Sequence, residues 1–598
     1  MNKTTFSTKN KRRNKIVASI LVFLVLIVSD TRLSLAFSPP QDVAKDTLRP
    51  PLRPSRLEVP DDEYVPVPLE GRKTSPSYRF STTGFFATQV NVDDSSRNIV
   101  GDAANEPSLA VDPTNPNRMA IGWRQFNTVT NNFRQAGYGY TTDGGMTWTF
   151  PGVLEPGIFR SDPVLDHDSE GSFYYNSLTV DVDFQCDVFK STDGGATWDA
   201  GTFAYGGDKQ WMAIDRTDGI GHGNAYAYWT SGTSVCFPGF FTRSVDDGAS
   251  FENCVTIPDD PFWGTVAVGP DGELYVFGAG GNAFVLAKSS NAMDSSQTIS
   301  WDFSTGVNLD GNIVAFAGNS SPNPSGLLGQ AWVAVDHSAG PYRGYVYALC
   351  SVNRISTSDP LDVMFTRSTD GGLTWSSPVR VNDDPTQNEW QWFGTMSVAP
   401  NGRIDVIWLD TRDNPGDLNS SLYYSYSLDA GVTWSQNERL SESFDPHVGW
   451  PQQNKMGDYF HMVSNQTGAH LAWAATFNGE QDVYYGHIHQ FVVTGADGQK
   501  DGTPQTFSLS QNYPNPFNGI SNFEFRISKL SEASMKVYDL LGREVATLVN
   551  EKLEPGSYTR QWDARLPGGQ ASRFPSGVYF YRLKAGEYVA TRKFVLLR

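Results

Sequence analysis

The chain of 598 residues carries 46 basic and 65 acidic side chains, which gives a formal net charge of −19 at pH 7. A surface this acidic repels phosphate backbones and therefore argues against nucleic acid as a partner. The length exceeds what a single hydrophobic core supports, so two or more domains are expected. The 56 glycines and 35 prolines favour many turns over long helices.

The N-terminus has the pattern of an export signal, and residues 1–36 are predicted to be a signal peptide. A basic stretch precedes an apolar run from Ile16 to Val28, and cleavage is expected after Ala36. This run is short for a membrane span, which needs roughly 20 residues; an uncleaved anchor stays open as the alternative. No later segment has the pattern of a transmembrane helix. Residues 37–80 are rich in proline and are predicted to be a disordered linker.

The four cysteines, Cys186, Cys236, Cys254 and Cys350, lack the C-x-x-C spacing of metal ligands, which disfavours a zinc site. Export permits disulfides. Cys236 and Cys254 flank one hairpin turn of the repeats described next, and a disulfide between them is predicted.

A motif of the form S-x-D-x-G-x-T-W occurs five times between residues 142 and 434. Its Asp carboxylate accepts hydrogen bonds from backbone N–H groups of its own hairpin turn, and its glycine permits positive φ. Its Trp folds back to pack between neighbouring sheets. These residues are therefore expected to be structural. They are Asp143, Trp148, Asp193, Trp198, Asp246, Asp370, Trp375, Asp429 and Trp434.

A second repeated element is an apolar strand that opens each repeat. Seven such strands start at intervals of roughly 50–65 residues, which predicts seven four-stranded blades of a propeller, with six as the alternative. The fourth blade has a degraded motif at 289–291, and the seventh has none. The segment 89–94 is similar to 379–384, which ends a blade. The strand at Phe85–Val92 is therefore expected to complete the seventh blade and close the ring.

The repeated motif resembles the Asp-box, or BNR repeat, of bacterial sialidases. The resemblance implies a sialidase-like β-propeller, placed here at residues 81–492. The predicted fold class is all-β: an Asp-box β-propeller of seven or six blades followed by a small immunoglobulin-like β-sandwich.

The C-terminal region follows a polar, glycine-rich linker at 493–507. Residues 508–598 alternate short strand-like runs with turns, which predicts the β-sandwich. Its segments 511–518, 537–545 and 576–583 resemble the type A C-terminal sorting domain of type IX secretion substrates. The resemblance implies export through the outer membrane, with the secretion machinery as a partner and a secreted or cell-surface location.

Propellers bind ligands where the inner strands converge on the central channel. Candidate ligand-binding residues are therefore those that open these strands or lie on a neighbouring rim. They are Glu106, Arg124, Asp162, Asp208, Lys209, Trp211, Gln330, Glu389, Trp390, Asp410, Arg412, Asp458 and His461. Acids, cations and aromatic rings together suit a glycan or polysaccharide. The alternatives are that the acids pair with neighbouring cations or hold a structural Ca2+; no other cofactor is indicated.

The sialidase resemblance also implies three arginines that bind the substrate carboxylate. Where that family has its first arginine, this chain has the segment 104–108 with Glu106, whose charge repels a carboxylate. Ordinary sialidase turnover is therefore not expected. Three functions stay open: a propeller that processes or binds glycans, as a glycoside hydrolase or polysaccharide lyase; a non-catalytic surface binding or adhesion protein; and an exo-alpha-sialidase.

Overall fold

The structure is a computed structural model. It describes residues 61–489, except 69–70, 83, 182 and 282, and residues 507–597, except 510, 513–514, 516, 518–519, 564–574 and 587. The predicted signal peptide, the first part of the proline-rich segment and nearly all of the 493–507 linker lie outside the described residues. The chain divides into two compact units, Met1–Val492 and Val493–Arg598.

The first unit consists of short antiparallel sheets. Its opening strands are β1 (Thr74–Pro76), β2 (Arg79–Thr82), β3 (Phe85–Gln89) and β4 (Arg97–Ile99). Blade 1 contains β5 (Ala103–Val111), β6 (Met119–Phe126), β7 (Arg134–Thr141) and β8 (Thr149–Val153). Blade 2 contains β9 (Ser161–His167), β10 (Phe173–Val180), β11 (Phe184–Ser191) and β12 (Thr202–Phe203). Blade 3 contains β13 (Trp211–Ile214), β14 (Ala225–Tyr228), the 3₁₀ turn Ser231–Thr233 and β15 (Phe241–Ser244).

The remaining blades repeat this order. Blade 4 contains β16 (Phe262–Val268), β17 (Leu274–Ala279), β18 (Phe284–Ser289) and β19 (Phe303–Val307). Blade 5 contains β20 (Gly311–Ile313), β21 (Trp332–Val335), β22 (Val346–Arg354), β23 (Asp362–Ser368) and β24 (Val379–Arg380). Blade 6 contains β25 (Gln391–Val398), β26 (Ile404–Asp410), β27 (Ser421–Ser427) and β28 (Glu438–Arg439). Blade 7 contains β29 (His461–Ser464), β30 (Gly468–Ala475) and β31 (Asp482–His489), joined by β3 and β2.

The blades form a closed ring. The inner strands β5, β9, β13, β16, β21, β25 and β29 each contact the next, and β29 contacts β5. The fold is therefore a seven-bladed β-propeller, which confirms the favoured blade count. Aromatic and aliphatic side chains fill the spaces between neighbouring blades, with Trp123, Trp229, Trp392, Trp408 and Trp473 fully buried.

The ring closes with a strand from the beginning of the propeller, as the sequence predicts. β3 runs antiparallel to β31, with Phe85 opposite Ile488 and Gln89 opposite Tyr484. Strand β1 and the first two residues of β2 thus lie within the segment 37–80, for which the composition predicts a disordered linker.

The Asp-box turns connect the third and fourth strands of blades 1, 2, 5 and 6, and in blade 3 the Asp-box turn follows the third strand. In blade 5, Asp370 Oδ1 accepts the backbone N–H of Thr374 at 2.9 Å, and Oδ2 accepts its hydroxyl at 2.6 Å. These bonds from Thr374 lower the pKa of Asp370 to about 2. In blade 4, Asn291 Oδ1 takes the place of the carboxylate and accepts the backbone N–H of Ser300. Blade 7 lacks a box because its fourth strand comes from elsewhere in the chain, so no such turn exists.

Blade 3 is the blade with the shortest ladder on its outer side. Phe241 makes an isolated bridge to Val255 in place of a fourth strand. A disulfide joins Cys236 to Cys254 with a Cα–Cα distance of 6.3 Å, as the sequence predicts. Cys186 and Cys350 are free and buried. The disulfide therefore fastens the outer edge of a blade that has three strands.

The second unit is a small β-sandwich. One sheet contains β32 (Ser508–Leu509), β33 (Ile520–Ile527) and β36 (Gly556–Asp563). The other contains β34 (Ser531–Tyr538), β35 (Glu544–Leu553), β37 (Gly577–Ala585) and β38 (Tyr588–Leu596). Its buried core includes Phe523, Met535, Tyr581, Leu583 and Phe594. In the described part of the chain, no helix has the length and hydropathy needed to cross a membrane.

Candidate functional site

A cavity of about 680 Å³ occupies the central channel. Three aromatic rings form its floor: the rings of Trp332 and His461 are stacked with centroids 5.9 Å apart, and Trp211 meets both edge-on. Two residues further along the same strands, Ala213 and Ala334 face the channel, because side chains alternate along a strand. Small residues at this level keep the space above the aromatic floor open.

The mouth of the cavity lies where the inner strands end and is lined by polar side chains. Asp166 Oδ1 lies 2.6 Å from Arg216 Nη1, and Asp166 Oδ2 accepts the backbone N–H of Ile214 at 2.8 Å. Burial opposes ionisation of Asp166, but Arg216 and the neighbouring donors lower its pKa. His337 Nε2 contacts the carbonyl oxygen of Val268 at 2.9 Å.

His461 is the polar group in the floor. Its Nδ1 accepts the backbone N–H of Leu109 at 3.1 Å and lies 3.0 Å from Ser108 Oγ. Nδ1 is thus an acceptor, which leaves the ring proton on Nε2. Burial lowers the pKa of His461 to about 4. The imidazole is therefore neutral at physiological pH.

The opposite end of the channel holds an ion network. Lys209 Nζ lies 3.2 Å from Asp162, 3.4 Å from Asp208 and 2.7 Å from Asp458. Lys455 Nζ also contacts Asp458, at 3.0 Å. These residues precede the aromatic floor along the inner strands, so the network lies behind the floor as seen from the mouth. Except for Asp208, their side chains are at most 9% exposed.

Glu106 and Arg124 complete this network. Arg124 Nε lies 3.0 Å from Glu106 Oε2 and 2.8 Å from Asn105 Oδ1. Glu106, Asp162 and Lys209 have φ values of 52°, 46° and 57°, a conformation that costs non-glycine residues roughly 1–3 kcal/mol each. The strained backbone therefore places a charged side chain at the same position in each of the first three blades.

Charge balance fixes the protonation of the network. Four carboxyl groups, those of Glu106, Asp162, Asp208 and Asp458, meet the three cations Arg124, Lys209 and Lys455. Burial, together with repulsion from two of the aspartates, raises the pKa of Glu106 to about 8 despite the attraction of Arg124. With Glu106 protonated, the three aspartates face three cations, and the charges of the network balance.

The remaining candidates lie elsewhere. Glu389, Trp390, Asp410 and Arg412 are on blade 6, where Arg412 pairs with Asp410 at 2.8 Å and with Asp383 at 2.7 Å. The hydroxyl of Thr411 donates to Glu389 Oε2. Gln330, at the start of the inner strand of blade 5, donates to the carbonyl oxygen of Gly264.

Of the thirteen sequence candidates, only Trp211 and His461 line the cavity. The sequence reasoning missed Trp332, Asp166 and Arg216. Trp332 was open to detection, because the segment 332–336 repeats the pattern of 211–215 in blade 3. Among the described residues, no group of three or more His, Cys, Asp or Glu side chains is arranged to hold a metal ion.

Comparisons with known proteins identify the C-terminal unit. Residues 511–597 match the family model of the secretion system C-terminal sorting domain. The chain therefore carries a sorting domain of the type IX secretion system, and the protein is exported to the medium or the cell surface.

The chain is also similar to a curated protein and to several solved structures. A xyloglucanase of Paenibacillus sp is 25% identical over 408 residues, which cover 61% of this chain and 36% of the relative. The chain thus spans about a third of that relative. A protein of unknown function from Dyadobacter fermentans has 13% identity and a TM-score of 0.39 over 68% of this chain and 100% of its own. The Hadza microbial sialidase Hz136 has 13% identity and a TM-score of 0.33, covering 65% and 66%.

Proposed function

We propose that the exported propeller binds neutral glycans at the mouth of its central channel. The observation that carries this proposal is the aromatic floor of Trp211, Trp332 and His461 beneath an open cavity of about 680 Å³. Ligand pockets typically occupy roughly 300–1,000 Å³ and combine apolar walls with a few polar groups. Sugar rings present C–H faces that pack on aromatic rings and hydroxyl groups that hydrogen-bond at a polar rim.

The charges around the cavity favour a neutral ligand. His461 is uncharged at physiological pH, and Asp166 is paired with Arg216. An anionic sugar would have to compete with Asp166 for this guanidinium, since bidentate pairing with a carboxylate needs a free one. Arg124, the arginine nearest to the position expected in a sialidase, is 1% exposed and pairs with Glu106.

The carboxyl groups favour binding over hydrolysis. Hydrolysis of a glycosidic bond needs two carboxyl groups that flank the substrate, typically about 5–9.5 Å apart. Glu106, Asp162 and Asp458 are at most 2% exposed behind the aromatic floor. In the cavity lining, Asp112 contacts Thr114 and Arg118, and Asp166 contacts Arg216. A non-catalytic binding or adhesion protein is therefore the function that this geometry supports best.

The test is a binding screen of the mature chain by isothermal titration calorimetry. Xyloglucan oligosaccharides come first, given the name of the curated relative, and cello-, xylo- and arabino-oligosaccharides and sialyllactose complete the panel. Ala334→Phe fills the cavity without removing a core side chain and should weaken binding at least tenfold. Phe203→Ala is the control, because Phe203 is an exposed aromatic residue on the outer strand of blade 2.

The outcomes separate the alternatives. Binding of a neutral glycan that is lost in Ala334→Phe and kept in Phe203→Ala supports the proposal. Equal binding by both variants, or tighter binding of sialyllactose than of the neutral sugars, contradicts it. Release of reducing ends from any polysaccharide by the wild-type protein would show that the propeller is an enzyme.

A further inference from the structure

The central cavity is enclosed on all sides by the propeller. All seven inner strands contribute to its wall, from Val111 in blade 1 to Met462 in blade 7. The wall is continuous at the seam of the ring, because β29 of blade 7 contacts β5 of blade 1. A ligand therefore enters the cavity along the axis of the channel.

The inner end of the cavity is closed. Below the floor, Tyr459 meets Trp211 edge-on with centroids 5.4 Å apart, and its hydroxyl donates to the carbonyl oxygen of Pro163 at 2.7 Å. Tyr459 is 2% exposed, and the ion network of Asp162, Lys209 and Asp458 lies behind it. In the described part of the chain, the cavity is therefore a well with a single mouth.

The depth of the well limits which part of a glycan reaches its floor. The wall follows β21 from Trp332 at the floor to Val335, and three steps along a strand rise about 10 Å. A polysaccharide that lies across the mouth leaves the aromatic floor uncovered. An interior sugar unit carries chain on both sides, so it reaches the floor only if the chain folds back through the same mouth. A terminal unit enters with a single linkage behind it.

Polar groups on three blades suit the hydroxyls of such a unit. His461 presents its Nε2–H at the floor, since Nδ1 is an acceptor. His167 Nδ1 lies 3.0 Å from the carbonyl oxygen of Asp168 and must donate to it, which leaves Nε2 as an acceptor. His337 donates from Nε2 to the carbonyl oxygen of Val268, which leaves Nδ1 as an acceptor. A terminal unit has a free hydroxyl where an interior unit has its second linkage, so it offers one more group to these partners.

We propose that the well recognises the terminal sugar unit of a neutral glycan chain. The aromatic floor packs against one face of the sugar ring, and His461 donates to one of its hydroxyls. This inference rests on the function proposed above and narrows it. The amount of protein that a linear glycan binds should depend on the number of chain ends and not on chain length.

The experiment measures how many protein molecules bind one glycan chain. The mature chain is titrated by isothermal titration calorimetry with cello-, xylo- and arabino-oligosaccharides of two to six units. The matching neutral polymers are hydroxyethyl cellulose, linear xylan and linear arabinan. In a series that binds, oligosaccharide and polymer should bind the same number of protein molecules per chain, with dissociation constants per chain within threefold.

Two variants test whether the bound unit reaches the floor. Ala213 faces the channel directly above the floor on blade 3, and Ala267 occupies the same level on blade 4, two residues after Thr265. Ala213→Leu and Ala267→Leu should each weaken binding at least tenfold, while Phe203→Ala should leave it within twofold. Thermal melts show whether each variant is folded. Because the two substitutions lie on different blades, a folding defect in one leaves the other as a test.

Chemical modification of the ligand distinguishes the two ends of the chain. Borohydride reduction opens the sugar ring at the reducing end and leaves the other end intact. Binding that weakens tenfold on reduction supports recognition of the reducing end, and unchanged binding supports recognition of the non-reducing end.

Two results would overturn the inference and keep the proposed function. One is a number of bound protein molecules per chain that rises in proportion to polymer length. The other is glycan binding that both folded leucine variants retain, which would place the ligand across the mouth. Absence of binding in all three series also overturns the inference, and the wider screen described above then decides whether the proposed function falls with it.

Discussion

Blades 5 and 7 make the same hydrogen bonds with strands of different origin. In blade 5, Asn382 donates to Asp362 at 2.6 Å and accepts the backbone N–H of Val363 at 2.9 Å. In blade 7, Asn91 donates to Asp482 at 2.8 Å and accepts the N–H of Val483 at 3.0 Å. Blade 5 joins its strands by a short turn, whereas blade 7 joins residues 391 positions apart.

This difference in chain separation means that blade 7 carries the entropic cost of closing the ring. The local repeat gives blade 7 the same pairing chemistry as blade 5, but joining its ends closes a long loop, and loop-closure entropy grows with loop length. Blade 7 also lacks an Asp-box turn, and the box Trp148 of blade 1 packs against Tyr485 of blade 7, with centroids 5.4 Å apart. The seam is therefore held by the β3–β31 ladder and by side-chain contacts, without the covalent turn that the other blades have.

Removal of the closing strand should have the largest effect. A chain that starts at residue 101 lacks β3 and leaves β31 as an open edge. Phe85 and Val90 are 1% and 0% exposed, and burial of each contributes about 1.5–3 kcal/mol. We expect the melting temperature to fall by more than 10 °C, or the chain to aggregate, in differential scanning fluorimetry and gel filtration. A chain that starts at residue 61 is the control, and equal melting of the two would contradict closure by β3.

Blade 3 is stabilised in a different way: the disulfide between Cys236 and Cys254 holds its outer edge, where a fourth strand is missing. Loss of the disulfide through Cys236→Ser with Cys254→Ser should cost about 3 kcal/mol, the value expected for a loop of this size; the two cysteines are 18 residues apart. Urea unfolding of the oxidised wild type and the variant measures the difference. Dithiothreitol should destabilise the wild type and leave the variant unchanged; an effect on both would point to another cause.

Much of the fold could be predicted because its determinants are local. The Asp-box is a set of hydrogen bonds within eight residues, so each copy marks the same turn, and the similarity of 89–94 to 379–384 reflects the shared asparagine, Asn91 or Asn382. The site was harder to predict. Strand periodicity shows which side chains face the channel, but it does not show which end is open.

That choice depends on a long-range contact, in which Lys209 of blade 3 reaches Asp458 at the start of blade 7. Lys455, three residues before Asp458, joins Lys209 in balancing the carboxyl groups at the strand starts. The candidates Glu106, Asp162 and Asp458 do converge, and they are buried because these cations lie among them. The cavity at the opposite end depends on Ala213 and Ala334 being small, which the sequence contains but which no local pattern marks as functional.

The asparagine pair allows a direct comparison of the two blades. Asn91→Ala removes two buried hydrogen bonds, and Asn382→Ala removes the same two and a third, to Asp384; the loss of a buried partner costs about 1–3 kcal/mol. Asp362 keeps Arg354 and Arg380 as partners, whereas burial and Glu480 raise the pKa of Asp482 to about 7. We therefore expect Asn91→Ala to lower the free energy of unfolding more than Asn382→Ala does at pH 8, where Asp482 is ionised. This difference between the two variants should become smaller at pH 5.5. Chemical unfolding measures both free energies, and a difference between the variants that is the same at both pH values would contradict this.

The seam should also be sensitive to acid, and the contribution of a single histidine to this sensitivity is the smallest effect. His470 and His487 on β30 and β31 are stacked, with centroids 4.5 Å apart, and His489 meets His487 edge-on, with centroids 4.0 Å apart. Burial lowers the pKa of His470 and His489 to about 4 and that of His487 well below its ordinary value, with repulsion within the cluster adding to the shift of His470 and His487.

Histidines with a lowered folded-state pKa contribute stability that is present above the unfolded-state pKa and is lost as the pH falls below it. The unfolded chain takes up protons near the ordinary value of 6.5, while the folded cluster does not. The free energy of unfolding should therefore decline from pH 6.5 towards pH 4, by about 1.4 kcal/mol per pH unit for each proton taken up.

Urea unfolding of the wild type at pH 7.5 and 5.5 measures this decline in the free energy of unfolding. His470→Gln should reduce the decline by the contribution of about one proton. His222→Gln is the matched control, because His222 is exposed and its hydrogen bonds to the carbonyl oxygen of Thr217 and the carboxylate of Glu170 raise its pKa. Its replacement removes a group that favours the folded state at low pH, so the decline should become slightly steeper. A decline that His470→Gln leaves unchanged would show that His470 does not contribute to the acid sensitivity.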